Sequence, residues 1–278
     1  MAAETSPHVM PSIRRVCAVP FVGLVAIMHL ACGGASAPAP GIAHSPPLAH
    51  WGYSGDESPQ HWGDLDPTYA LCKTGGAQSP IDLPPTPPRH EPAPARPHWD
   101  PIPLRLTNNG RIVQVEDKAS SSFVVDGTTY RLAQFHFHSP SDHTIAGHRY
   151  AVEMHLVHKS DAGKLLVVAI FFESGAENVT LAPVWSAIPA ASDVPSVALP
   201  GVTVDVSPLL PAAPRYLRYG GSLTVPPCTE GVTWLVVEPD GSTQMSPGQI
   251  KTLHDRTQPS SSRPLQPAGA REVVELIP

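Results

Sequence analysis

The stretch "QFHFHSPSDH" (134–143) places three imidazoles within ten residues, in a run that otherwise reads as a strand. Strand side chains alternate faces, so residues two apart point the same way. His136 and His138 therefore share a face. His155, in "VEMHLVH", falls on the next strong strand pattern. If "SPSDHTIAG" (139–147) is the connection, the two strands are antiparallel neighbours, and His155 can come opposite the first pair. Three neutral imidazoles on one face make an open tetrahedral zinc site, with the fourth position left to water. Any one of these histidines alone would read as an ordinary hydrogen-bonded sheet residue. Their neighbours shift that reading. Gln134 and Glu153 each precede a candidate ligand by two, on its own face. Metal-bound histidines donate their other N–H to a carbonyl or carboxylate. A carboxylate buried in a strand is costly without such a partner. His143 lies past the strand and reads as structural.

Many strands must hold these residues. "RIVQVE" (111–116), "SFVVDG" (122–127), "TYRLAQFHFH" (129–138) and "HRYAVEMHLVHK" (148–159) alternate or are β-rich. "KLLVVAIFF" (164–172), "RYLRYGGSLTV" (215–225) and "GVTWLVVE" (231–238) continue the series. "AENVTLAPVWSAIP" (176–189) and "SPGQIKTLHDR" (246–256) are short helix candidates, the second capped by Ser246 with Pro247 in its first turn. No internal repeat is present. Residues 49–278 read as one mainly β domain with a few peripheral helices.

With 278 residues, 41% of them hydrophobic, the chain can bury one sizeable core. A net charge of −6 offers no basic face for nucleic acid. The 35 prolines cluster in 38–47 and 84–103. The first cluster reads as a linker over 38–48 and the second as a loop crossing the domain surface. Residues 1–37 read as an export signal: Arg14 and Arg15 precede an apolar run (16–31) too short for a confident membrane span. "ASA" (35–37) suits ordinary secretory cleavage. "LACGG" (30–34) resembles a lipoprotein signal that would leave a lipid anchor on Cys32, although His29 stands where such signals usually have Leu. The expected location is periplasmic, outer-membrane lipoprotein or secreted. Outside that leader only Cys72 and Cys228 remain, an even pair in an oxidising setting. A bridge between them would be worth on the order of 5 kcal/mol by chain entropy. The alternative is two free buried thiols. No further cysteine is left to close the zinc site, which favours a catalytic arrangement over a structural one.

The ordered set "QFHFHSPSDH", "EMHLVH", "YGGSLTVPPCTEGVTW" and "CKTGGAQSPID" resembles the α-class carbonic anhydrases in their secreted bacterial form. "HWGYSGDESPQHW" (50–62) and "SSRPLQP" (261–267) fit as well, so the resemblance spans essentially the whole domain. It implies a large, mostly antiparallel twisted β-sheet with a conical active-site cleft. It implies Zn2+ on His136, His138 and His155, and a Cys72–Cys228 disulfide. The implied reaction is reversible hydration of CO2 to bicarbonate and a proton by a zinc-bound hydroxide. Val157, Val167, Leu223, Val232 and Trp234 correspond to the family's CO2 wall, with Val225 where relatives often carry a second threonine. Thr224 corresponds to the threonine that accepts a hydrogen bond from the hydroxide and gives its own proton to a carboxylate.

Two positions depart from the family pattern. Asp142 stands where that carboxylate is usually glutamate, one methylene and ~1.5 Å shorter in reach. Arg111, in "NNGRIVQV", stands where fast members carry a proton-shuttling histidine. Guanidinium does not deprotonate at neutral pH and cannot relay by titrating, though it could hold bicarbonate or buffer anions. Asn109, Gln114 and Gln134 would make that wall polar. The expectation is an active carbonic anhydrase, monomer or homodimer, with slowed proton transfer and altered hydroxide alignment. His90 and His98 are open candidates for a substitute shuttle. The alternatives are a catalytically weak zinc- or ligand-binding or adhesion protein, or a zinc esterase.

Overall fold

The computed structural model describes residues 49–118, 120–190, 192, 194–258 and 260–278. The expected leader and linker, Cys32 included, lie outside the described residues. A single twelve-stranded sheet dominates. Its main path runs Val194–Val204, Ile102–Asn108, Val113–Glu116, Thr128–His138, Val152–Ser160, Leu165–Ser174, Glu230–Val237, Tyr216–Ser222, Val274–Ile277, His90–Pro92. Neighbours are antiparallel except where Leu165–Ser174 meets Glu230–Val237 and where Val274–Ile277 meets His90–Pro92. The mostly antiparallel sheet expected from the resemblance is therefore present. Ser122–Val125 joins the path through a two-residue turn, with Asp126 at φ 48° and Gly127 at φ 69°. Two successive positive φ values are what a tight hairpin with native strand twist requires, and "DG" supplies them.

Both faces of the central strands are covered. One face carries Phe135, Phe137, Met154, Leu156, Leu166, Val168 and Ile170 into the main core. The other carries Val167, Ala169, Val232 and Trp234 into a second cluster. Double burial is why "KLLVVAIFF" is a continuous apolar run rather than an alternating one. A bulge interrupts the first histidine strand: Leu132 pairs with His158, but Gln134 pairs with Val157. Ala133 is the extra residue. Leu132 thus stays in the main core while Gln134, two residues on, faces the other way.

Some elements differ from the sequence pattern. "HRYAVEMHLVHK" is broken into His148–Arg149, part of a separate three-stranded sheet, and Val152–Ser160. Tyr150 at the break exchanges hydrogen bonds with Ser141 instead of continuing the ladder. The 176–189 helix shortens to Ala182–Ala187, whereas Pro247–Arg256 forms with Ser246 in a full capping box. The proline-rich 84–103 segment is not a free loop. His90–Pro92 is an edge strand, Trp99 is buried, and Arg96 donates to the carbonyls of Pro211 and Ala212. Cys72 and Cys228 are bonded, across a sequence separation of 156. Trp62 and Tyr69 pack around the bridge. Among the described residues, no helix is long and apolar enough to cross a membrane.

His158 falls on the main-core face, opposite the candidate ligands. Its Nδ1–H donates to the Leu156 carbonyl at 2.9 Å, and it accepts from Trp99 Nε1–H at 3.0 Å. Burial lowers its pKa to about 4, so the folded chain keeps it neutral. The unfolded chain protonates it below about 6.5. Stability present above that pH is therefore lost as pH falls toward 4, by ~1.4 kcal/mol per unit at most. Urea midpoints measured near neutrality and near pH ~4.5 should show this fall, and His158→Gln should flatten it.

Candidate active site

His136 lies directly opposite His155, and His138 opposite Glu153. One nitrogen from each of the three histidines lies within 4.8 Å of the other two. All three side chains are nearly or fully buried. Each has its other nitrogen fixed by a different partner. His136 Nδ1–H donates to Gln134 Oε1 at 2.8 Å, as the spacing predicts. His155 Nε2–H donates to Glu153 Oε1 at 2.7 Å, also as predicted. His138 Nδ1–H donates to the Ser261 carbonyl at 2.6 Å. That last partner has no side-chain signature, and the sequence reading did not find it.

The nitrogens left over are His136 Nε2, His138 Nε2 and His155 Nδ1. His138 Nε2 is buried and has no hydrogen-bond partner. An orphaned buried donor or acceptor is costly, and a metal at this point would satisfy it. Burial, reinforced by His138 and His155, pushes His136 well below its ordinary value. Burial also lowers His155, against the opposing pull of Glu153. Neutral imidazole is the form that ligates zinc, so the donor set fits that metal.

Glu153 is the most constrained group here. It is fully buried, and burial alone would raise its carboxyl. The His143 and His155 imidazoles and their hydrogen bonds instead hold it well below the carboxylate range. His143 donates to it twice, through Nδ1–H at 2.7 Å and backbone N–H at 2.8 Å. These bonds accord with the structural role expected of His143, whose ring is fully buried. Its Nε2 accepts from the Tyr219 hydroxyl at 2.6 Å, which in turn lies 2.7 Å from Ser79 Oγ. Ser79 Oγ also accepts from Ser222 N–H at 3.0 Å. Gly221 permits this approach, since a Cβ there would lie 2.1 Å from Ser79 Oγ.

A cavity of about 170 Å³ adjoins the histidines. Ile112, Gln114 and Gln134 form part of its wall, and Val157, Val167, Leu223, Thr224, Val225 and Trp234 form the rest. Val232 does not line it. That side chain is buried in the same cluster as Val167 and Trp234. Thr224 sits just beyond the Tyr216–Ser222 strand, in the turn that ends at the disulfide-bonded Cys228. Asp142 is fully buried and does not reach Thr224. Its Oδ1 accepts from Arg263 N–H at 2.8 Å, while Oδ2 has no hydrogen-bond partner and lies 3.6 Å from His138 Nε2. The sequence reading passed over Arg263, whose guanidinium also donates to the carbonyls of Cys72 and Ser79. His90 pairs with Glu275 and His98 with Asp100, and neither lines the cavity.

A sequence profile described as "Eukaryotic-type carbonic anhydrase" matches residues 57–277. The chain belongs to the α-carbonic anhydrase family. A carbonic anhydrase of Klebsiella pneumoniae is 39% identical over 229 residues, 82% of this chain and 91% of that protein. One of Neisseria gonorrhoeae is 37% identical, covering 91% of this chain and 96% of the other. The solved α-carbonic anhydrase of Thermovibrio ammonificans, in complex with the inhibitor sulfanilamide, superposes with a TM-score of 0.77 at 40% identity. That match covers 81% of this chain and 99% of the other. This carbonic anhydrase is accordingly an enzyme of CO2 and bicarbonate, in a family of zinc enzymes.

If the three imidazoles form the metal site, zinc should stabilise the apo protein. At a free concentration of ~100 Kd the gain is about 2.7 kcal/mol. Melting with and without zinc should show it, and His138→Ala should abolish both the shift and stoichiometric zinc retention.

Proposed function

We propose that this chain hydrates CO2 reversibly at a zinc held by His136, His138 and His155, in an exported and oxidising location. The arrangement that carries the reading is three buried imidazoles, one with an unpartnered inner nitrogen, beside a cavity walled by Val157, Val167, Leu223 and Trp234. The Cys72–Cys228 bond supports export, since such bonds persist in oxidising compartments. When bound, zinc makes a water acidic enough to attack at neutral pH, an established property of the metal in this enzyme family.

The chain's own residues supply position and selectivity. The apolar wall accepts a small neutral substrate and gives no hydrogen bonds to its anionic product, which favours release. Gln134, Glu153 and the Ser261 carbonyl fix the three rings in one tautomer each. The Thr224 hydroxyl, at the cavity wall, orients the attacking oxygen by accepting a hydrogen bond from it. Asp142 Oδ2 makes no hydrogen bond, so Thr224 lacks the carboxylate acceptor that the family pattern pairs with it. The distal consequence is weaker alignment of the attacking oxygen, with the metal set intact.

Stopped-flow CO2 hydration on zinc-loaded protein, with and without a sulfonamide, tests the assignment. Turnover that the sulfonamide abolishes is expected. Tight zinc binding without turnover would replace the reading with a binding or structural role. Asp142→Glu should raise kcat/KM by about tenfold, the equivalent of ~1.4 kcal/mol, within the worth of a hydrogen bond to a charged group. A decrease would show that the surrounding backbone is fitted to aspartate.

A further inference from the structure

Arg111 occupies the shuttle position, but its guanidinium is already engaged. Nη1 donates to His50 Nε2 at 2.9 Å and to the Trp51 carbonyl at 3.2 Å. Its Cζ lies 4.7 Å from the centroid of the Trp51 ring. The backbone holds this placement, because Asn109 Oδ1 accepts from both Arg111 N–H and Ile112 N–H. Ile112 lines the cavity, and Gln114 two residues further pairs with His136. Arg111 therefore sits in the turn that leads into the Val113–Glu116 strand, three residues before that pairing.

His50 is the imidazole joined to this position. Its Nδ1 lies 2.9 Å from Glu57 Oε2, and its side chain is 65% exposed. With Nδ1–H donated to Glu57, the Nε2 lone pair faces Arg111. Arg111 and Glu57 are the charged groups bound to the ring. The guanidinium covers Nε2, and the carboxylate orients the ring. Histidine is the side chain whose charge changes across neutral pH.

We propose that His50 is the proton-relay residue of this chain and that Arg111 gates it. The proposal rests on the CO2 hydration reading above. Each CO2 and water consumed give one bicarbonate and one proton. The proton passes through cleft water to His50 Nε2 once Arg111 lets go, turning the neutral ring into imidazolium. A buffer base then removes it and restores the neutral ring. The transfer moves one proton and no electrons.

His50→Ala, Arg111→Ala and the double variant test this in CO2 hydration assays at low and high buffer. His50→Ala should lower kcat several-fold at low buffer, without a matching fall in kcat/KM, and added imidazole should restore it. Arg111→Ala should raise low-buffer kcat when His50 is present and do nothing in its absence. Unchanged low-buffer kcat in His50→Ala would overturn the proposal, as would a gain from Arg111→Ala that survives loss of His50. A second readout needs no turnover. In metal-free protein, labelling of His50 by diethyl pyrocarbonate, read by mass spectrometry, should speed up several-fold in Arg111→Ala, because the guanidinium no longer covers Nε2. An unchanged labelling rate would dismiss the gate even if the enzyme is active. An inactive parent with the expected faster labelling would instead count against the hydration reading alone.

Discussion

The backbone ladder between Thr128–His138 and Val152–Ser160 sets His136 against His155 and His138 against Glu153. Side chains on a strand repeat every two residues, so a slip of one in the first strand would send His136 and His138 into the main core. The same slip would push Phe135 and Phe137 out of it. The register is therefore specified by apolar burial on one face and used for chemistry on the other. The bulge at Ala133 confines this arrangement to the upper half of the strand. Below it, Leu132 faces the core; above it, Gln134, His136 and His138 face the cavity side.

Placing ionisable groups inside a sheet demands that each find partners. Glu153 does so completely, with donors on both oxygens from His143 and His155. The chain of contacts from Glu153 through His143, Tyr219 and Ser79 to the Ser222 backbone links one imidazole to the strand that leads into Thr224. Asp142 is the counterexample. One oxygen accepts from Arg263 N–H and the other has no hydrogen-bond partner. Arg263 remains cationic despite burial, which lowers it to about 10.

The parts legible in the sequence are those with local period or composition. Gln134, His136, His138, Glu153 and His155 were readable because two-residue spacing fixes a shared face. The helix at Pro247–Arg256 was readable from its cap and first-turn proline. Partners that act through backbone left no signal: the Ser261 carbonyl on His138 could equally have come from any residue type. Ile102–Asn108 and Val194–Val204 were hidden because prolines stand inside or beside them, and proline usually speaks against a strand. The bulge was also invisible, because Leu132 and Gln134 share a parity that predicts a shared face. Val232 was assigned to the cavity by family correspondence; it shares the buried cluster of Val167 and Trp234 but is not among the residues that line the cavity. The short Asp142 was noticed in the sequence, yet only its surroundings show that one oxygen goes unpaired.

The site draws its pieces from widely separated stretches of the chain. Ser261, which orients His138, and Arg263, which holds Asp142, both come long after His155. The Val274–Ile277 strand then inserts between Tyr216–Ser222 and His90–Pro92 rather than adding to an edge. A chain delivered from its N-terminus, as in synthesis or translocation, can form the paired histidine strands early. It cannot finish the ligand geometry until the downstream segment arrives. The arrangement of the three imidazoles is thereby tied to completion of the fold, and a half-delivered chain leaves His138 without the carbonyl that fixes its ring.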